Sequence, residues 1–566
     1  MTKKYSLQLQ QTDRTQYIIG FLFLLIYAGC LFFPLMDKDA AHHANIALRM
    51  LQYDDYVSLV DRQTDYLDKP HFLFWSSALS FKLFGVNTFA HRLPAILFAL
   101  LSIYSTYRLT RLLTDKTTAK LAAIMLASAQ GFILSINDAR METPLTAGII
   151  FGLWQLIAYI NSQRLLHLAG ASLGAAMAFS TKGWIGVVII FIAAFLYMLL
   201  QRKWKVLTIP KTYLFLMFFG LFISPVLYAY YLQFDQHPEK VIRNMTNISG
   251  VKFILWDQNF ERFGGDNFIK GGRNSSVFFL YHTFLWAYFP WCIIAYAGLL
   301  LWLKRMIAYG KWRHPVNFAA LAFAFILFTI SFSKFKMPHY IFWLLPLATI
   351  FTAPYLRMLL ARRRSRRLLI MVHTALAVLV LLATLIMNFY FFQPPTLIAW
   401  VIGIALIVCY IYYLLAKRSS SALRFLGVTL GMMIVFNFFA NYSFFPNLLK
   451  YQGGNELVAQ MKRDGIQVKD EDIILVDHNA HTFDFYRGYN HDVLEYDRVA
   501  QTYDSTRGKY FVLTGGMIRG LREQGFEVIP VASHVDYNVT TLKLKFLNPA
   551  TRASKLDTIM LAKLRR

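Results

Sequence analysis

The chain has 566 residues, 57% of them hydrophobic, with Lys and Arg outnumbering Asp and Glu 58 to 31. Such a composition excludes a soluble globular chain. The net charge of +27 sits largely in short loops between apolar runs, which is membrane topology and not a nucleic-acid footprint.

The N-terminus carries Lys3, Lys4 and Arg14. The first apolar run is long and lacks a small-residue cleavage signature, so it reads as a retained span. Runs of a length that crosses a bilayer, about 17–25 residues, then recur. They fall roughly at 17–36, 93–113, 121–136, 144–161, 167–181, 184–200, 211–231, 276–302, 317–332, 340–356, 368–391, 397–415 and 424–443, about thirteen in all. The segment Phe72–Phe84 is apolar but short, and reads as an interfacial or re-entrant helix. Cys30, Cys292 and Cys409 lie inside apolar runs without metal-ligand spacing, and imply no disulfide.

Loop charge sets the orientation. Arg108, Arg111, Lys116, Lys120, Arg202, Lys203, Lys205, Lys304, Arg305 and Arg362–Arg367 fall in loops that alternate with the others. The positive-inside rule places these loops in the cytoplasm. The outer face then receives Met36–Arg92, Asn137–Thr143, Thr181–Gly183, Gln233–Ser275, Ser333–His339 and everything after Ser443. The expected organisation is a membrane domain over 1–445, with juxtamembrane helices in 37–92 and a flexible loop over 233–275. An outer α/β domain follows over 446–566. In it DIILV, KYFVL and FEVIPVA read as strands, and NELVAQMKRDG and GMIRGLREQG as helices. No glycine-rich nucleotide fingerprint is present.

The outer loops hold the candidate chemistry. After the first run comes MDKDAAHHANIALRML, ending in a segment closed by Asp68, Lys69 and Pro70. Carboxylates and a lysine at a membrane edge are costly unless hydrated, paired or used. The loop SINDARMETPLTAG brings Asp138, Arg140 and Glu142 together. Alone, an acid at a helix N-terminus with a snorkelling arginine explains it. Lys182 in STKGWIG alone reads as an interfacial anchor. The loop WDQNFERFGGDNFIKGGRNSS reads equally as a lid or as an ordinary solvated loop. Lys334, Lys336 and His339 in SKFKMPHYIF gather cations where topology does not call for them. Taken together, Asp37, Asp39, Asp68 and Glu142 with Lys69, Lys182, Arg262, Lys334 and Lys336 suit a lipid-linked phosphate substrate. Cations would meet the phosphate, and a carboxylate would serve a sugar or hydroxyl acceptor.

Six blocks in order carry a resemblance: KDAAHHANIALRML, YLDKP with LFGVNTFAHRLP, METPLT, TKGWIG, NFERF and SFSKFKMPHYIFWLLPL. The chain resembles bacterial membrane glycosyltransferases of the C-type (GT-C) fold, the aminoarabinose (lipid A) transferase and protein O-mannosyltransferase relatives. The resemblance implies inverting transfer from a polyprenyl-phosphate sugar to a lipid or glycan acceptor, at the periplasmic face of the inner membrane. It implies Asp39 as the catalytic carboxylate and Glu142 as a second acid. Lys69 would bind the donor phosphate, and Asp68, Lys182, Arg262, Lys334, Lys336 and His339 would line the substrate site. The chain departs from the pattern at Ala40, His42, His43 and Trp184. It keeps the acid Asp68, but Asn259 stands where the aminoarabinose branch has a histidine implicated in a metal. No cofactor is required by this reading, and a divalent metal is left open. A transporter of lipid-linked anionic solute is the rival class. Such proteins place ionisable groups near the midplane within repeats, whereas these charges gather at one face.

Overall fold

A computed structural model describes residues 12–242, 245–258, 276–333, 336–416, 421–477 and 480–566, apart from the side chains of residues 12–19 and Lys38. Among the described residues, nine helices are long and apolar enough to cross a membrane. A bent pair, Lys116–Ala127 with Gln130–Asn137, makes a tenth. Shorter apolar helices run over Gly20–Phe32, Phe72–Phe84 and Asn317–Ser331. The run at 167–181 is the helix Leu165–Lys182. The chain is a multi-pass α-helical membrane protein with a sheet domain at its C-terminal end.

Two of the expected runs are not single straight helices. The first is the pair just named, bent by 54°. The second, 276–302, divides into Phe279–Ala287 and Cys292–Tyr309. Pro290 lies in the gap and has no amide hydrogen to continue the ladder. The two breaks satisfy each other. Gln130 N donates to the Phe289 carbonyl at 3.0 Å, and Trp291 Nε1 donates to Ser128 Oγ at 3.0 Å.

The helix Glu142–Ser162 is the centre of the bundle, with nearly all of its residues from Glu142 to Ile160 buried. Gly148 and Gly152 on it face Gly174 on Leu165–Lys182, and a Cβ at Gly174 would collide with the Gly152 backbone. Small residues one turn apart let two helices approach this closely. The two run antiparallel, so the end of one, Lys182, lies beside the start of the other, Glu142.

Arg92 is fully buried and prepares the segment before Asp37. Its guanidinium donates to the carbonyls of Cys30 and Phe33, and to that of Pro34 at 2.9 Å. These are end-of-helix carbonyls that need a donor. Met36 is extended, and Asp37–Ala41 then forms a π-helical turn that leads into the helix His42–Gln52.

Val60–Asp61 (β1) and Thr64–Asp65 (β2) pair as a short antiparallel hairpin. The C-terminal strands are β3 (Ile473–Val476), β4 (Asp492–Leu494), β5 (Tyr510–Thr514), β6 (Glu527–Asp536) and β7 (Asp557–Arg565), and their sheet runs in the order β4-β3-β5-β7-β6. β3 pairs in parallel with β4 and β5, and β7 pairs antiparallel with β5 and β6. The sequence reading did not include β4 or β7. β7 carries alternating Ile559 and Leu561 into the core between two partners, although Lys563 and Arg565 dilute its pattern.

A buried charge cluster ties this domain to the segment after the first span. Arg62 Nε donates to Asp484 Oδ2 at 3.2 Å. His491 meets Asp484 Oδ1 at 2.7 Å and Asp470 Oδ1 at 3.3 Å, and Arg487 Nε donates to Asp470 at 2.6 Å. Burial by itself would lower the His491 pKa, but its bonds to Asp470 and Asp484 outweigh that and hold it above the usual 6.5. A group that binds its proton more tightly when folded stabilises fully below its unfolded pKa, and loses that contribution as pH rises through the folded one. Hydrogen-exchange protection of β3 and β4 in the full chain is therefore expected to fall as pH rises above the ordinary histidine value of about 6.5. His491→Gln should flatten that slope, and a flat wild-type profile would rule the cluster out as its source.

Candidate active site

The site is built where four chain segments meet. The π-helical turn presents Asp39, whose side chain is half-exposed. The turn between Asn137 and Glu142 presents Asp138 and Arg140. Ala139 between them has φ +46°, a left-handed conformation uncommon for a residue with a Cβ, and of the kind retained where surrounding structure over-determines it. The helix hairpin supplies Glu142 and Lys182, and the 3₁₀ turn Pro338–Leu344 supplies His339.

These side chains form one connected network. Arg140 Nη2 lies 3.2 Å from Asp39 Oδ2, and Arg140 Nε donates to Asp138. Arg140 Nη1 donates to His339 Nδ1 at 3.3 Å. His339 Nε2 then faces Glu142 Oε1 at 3.4 Å, the arrangement of a neutral imidazole that accepts at Nδ1 and carries its hydrogen on Nε2. Glu142, 3% exposed, also accepts from Lys182 Nζ at 2.7 Å. The Lys182 ammonium lies 4.8 Å from the ring centroids of both Tyr340 and Trp343, a cation–π enclosure. The chain of contacts thus runs from the half-exposed Asp39 to the buried Glu142–Lys182 pair.

Electrostatics follow from this crowding. Burial raises the Asp138 pKa above the usual carboxylate value, and the adjacent Arg140 offsets only part of that. Burial opposes the Arg140 charge, but Asp138, Asp39 and Glu142 outweigh it and raise its pKa further. Burial, with His42 and Lys69 close by, pushes His43 well below the usual histidine value. His43 is therefore a neutral side chain within electrostatic reach of both Lys69 and Glu142.

On that side, Lys69 Nζ is 3.6 Å from Asp68 Oδ2, and the Asp68 carbonyl accepts from Gln258 Nε2 at 2.7 Å. Among the described residues, no group of three His, Cys, Asp or Glu side chains is placed to hold a metal ion.

Comparison with known proteins agrees with this architecture. Residues 68–229 match the family model described as dolichyl-phosphate-mannose-protein mannosyltransferase. An uncharacterised protein of Aquifex aeolicus is 28% identical over 384 residues, 67% of this chain and 71% of its own. The undecaprenyl phosphate-alpha-4-amino-4-deoxy-L-arabinose arabinosyl transferase of Pseudomonas paraeruginosa is 28% identical over 341 residues. That match spans 58% of each chain. The crystal structure of ArnT from Cupriavidus metallidurans bound to undecaprenyl phosphate superposes with a TM-score of 0.73. It covers 97% of this chain and 98% of its own at 16% identity, so the likeness is one of fold. The chain has the fold of the membrane glycosyltransferases of the C-type.

The fold brings together Asp39, Glu142, Lys182 and His339 of the residues singled out from sequence. Lys69, beside Asp68, lies within electrostatic reach of His43, as Glu142 does. Lys336 is directed elsewhere. It is 2% exposed, and its ammonium donates to the carbonyls of Ser331 at 2.8 Å and Ser276 at 3.0 Å, closing the end of the helix Asn317–Ser331. Arg262 and Lys334 lie outside the described residues, as do Asn259 and the loop from 259 to 275. Arg140 was undervalued by the sequence, where it reads as a snorkelling side chain. The signal available was its position between two acids in a loop on the same face as Asp39.

Proposed function

We propose that this glycosyltransferase moves a sugar from a polyprenyl-phosphate donor to an envelope acceptor, lipid A or a related glycolipid, with inversion at the anomeric carbon. The observation that carries the reading is the network from Asp39 through Arg140 and His339 to Glu142–Lys182, with Lys69 on the adjoining side. Support for the donor comes from the relatives, whose names specify undecaprenyl phosphate, and from the structural neighbour that binds it. The protein would lie in the inner membrane with the site and the sheet domain on the periplasmic side, as the basic loops indicate.

In this mechanism the acceptor oxygen attacks the anomeric carbon, and the bond from that carbon to the phosphate oxygen breaks. The leaving polyprenyl phosphate keeps the electron pair, and Lys69 meets its growing charge. With a hydroxyl acceptor, the proton passes to Asp39 as general base. With a phosphate acceptor no proton moves, and Asp39 orients the acceptor or stabilises positive character on the sugar ring. Arg140 holds the Asp39 carboxylate in place. Glu142, enclosed by Lys182 and His339, acts as a fixed charge that positions His339 and Arg140.

Mass analysis of envelope glycolipids from cells with and without the chain tests the reading. A sugar-sized mass increment on lipid A that requires the chain is the expected result. Unmodified lipid A together with an altered glycoprotein or polymer would move the acceptor to that class. Lys69→Gln should weaken binding of undecaprenyl phosphate by about 10–100-fold, the worth of a hydrogen bond to a charged group. Unchanged affinity, measured on the purified protein in nanodiscs, would remove Lys69 from the phosphate site.

A further inference from the structure

The carboxylate two residues before Asp39 is not part of the network. Asp37 Oδ1 accepts from both the backbone N and the Oγ1 of Thr482, each at 2.8 Å. Thr482 lies in the first turn of the helix His481–Arg487, where amides lack partners in their own helix. An acid from the membrane domain thus caps a helix of the sheet domain.

The backbone around it is held from the same side. In the extended segment 34–36 the Leu35 amide and carbonyl have no partner in their own segment, and the sheet domain supplies both. Leu35 N donates to Tyr486 Oη at 2.9 Å, and Gln452 Nε2 donates to the Leu35 carbonyl at 2.8 Å. Asp37 N donates to Gln452 Oε1 at 2.9 Å. One turn further, Asn45 Nδ2 donates to the His481 carbonyl at 2.7 Å, and Asn490 Nδ2 donates to the Asn45 carbonyl at 3.2 Å. The membrane domain grips the same stretch through Arg92 on the Pro34 carbonyl. Asp39 therefore sits on a turn whose entry is held by the sheet domain, while Arg140 holds only its carboxylate.

We infer that the sheet domain is a positioning element for the transfer reaction. Thr482 and Gln452 latch Asp37 so that the turn Asp37–Ala41 presents Asp39 to Arg140 and to the acceptor. Asp37 and Thr482 are positioning residues that touch no substrate. Burial supports the latch as a closed contact, since it lifts the Asp37 pKa to about 6 despite the two bonds from Thr482. The inference rests on the assignment of Asp39 given above.

The test uses the full-length chain. Thr482→Val keeps the shape of the side chain and deletes one donor. It should speed amide exchange over residues 37–41 about tenfold. Glycolipid transfer in cells at matched protein level should fall about 10²-fold, the scale expected when a catalytic group shifts by about an ångström. Affinity for undecaprenyl phosphate should stay within about twofold, because the latch lies on the acid side of the site. Thr482→Ser restores the donor and should restore transfer. Asp37→Asn keeps the accepting Oδ1 and should retain most transfer. Gln63→Ala removes a rim contact to Asp492 of 2.6 Å and should change none of these readouts.

Wild-type exchange and transfer in Thr482→Val would overturn the latch, as would failure of Thr482→Ser to restore transfer. Should Thr482→Val not fold, Asp37→Asn decides, since loss of transfer there would place the Asp37 charge in the chemistry instead. Asp39→Asn run alongside separates the two claims. If it is active, the site assignment fails. If it is inactive while Thr482→Val is wild-type, only the latch fails.

Discussion

Asp39→Asn is expected to lower glycolipid transfer by about 10²–10⁴-fold, the usual cost of losing a positioned base. The substitution preserves shape and removes the charge and the proton-accepting capacity. Its structural cost should be small, for two reasons visible in the geometry. The Asp39 side chain is half-exposed, so an amide there remains hydrated. Arg140 keeps Asp138 as a partner, so no buried cation is stranded. The loss of rate would therefore come with little loss of folded protein, and mass analysis of glycolipids at matched protein level reads it directly. Near-wild-type turnover would end the assignment of Asp39 as the principal carboxylate. The variant also bears on the acceptor. A phosphate acceptor needs no base, so its residual rate should lie at the upper end of that range.

Lys182→Met is expected to be the most destabilising single change at the site, by about 3–5 kcal/mol. Glu142 and Lys182 are nearly inaccessible, with side-chain exposures of 4% and 7%. Removing the ammonium leaves the Glu142 carboxylate buried with His339 and Arg140 as its remaining support. An uncompensated buried charge is far more costly than the pair is favourable. The double variant Glu142→Gln with Lys182→Met should recover much of the stability without recovering transfer. Thermal unfolding in detergent measures both. A Lys182→Met protein as stable as wild type would show that the pair is solvated in the membrane. Recovery of transfer by the double variant would show that Glu142 contributes only to folding.

Much of the membrane architecture was legible because apolar runs are long and loop charge is asymmetric. The straight spans declare themselves by length. The broken ones at 121–136 and 276–302 do not, since apolarity continues through the bends and only Pro290 hints at an interruption. The site was partly legible. Asp39, Glu142, Lys182 and His339 stand out as charges at the ends of apolar runs, where burial costs most. Lys336 stands out for the same reason, yet it serves two backbone carbonyls. A cation at a helix end satisfies a ligand or a carbonyl equally well, and sequence alone does not say which.

By itself, the sequence determined that this is a multi-pass membrane protein, that its chemistry-bearing residues share one set of loops, and which carboxylates and cations are available there. Those properties follow from local composition and hydration. The tertiary structure decided the partnerships: Arg140 with Asp39, Glu142 with Lys182, and Asp37 with Thr482 across 445 positions of chain. Pairing of charges is set by distance in space and by the low dielectric that enforces it. The close approach of Gly148 and Gly152 to Gly174 set Glu142 beside Lys182, and the left-handed turn at Ala139 lies next to the Arg140 that meets Asp39.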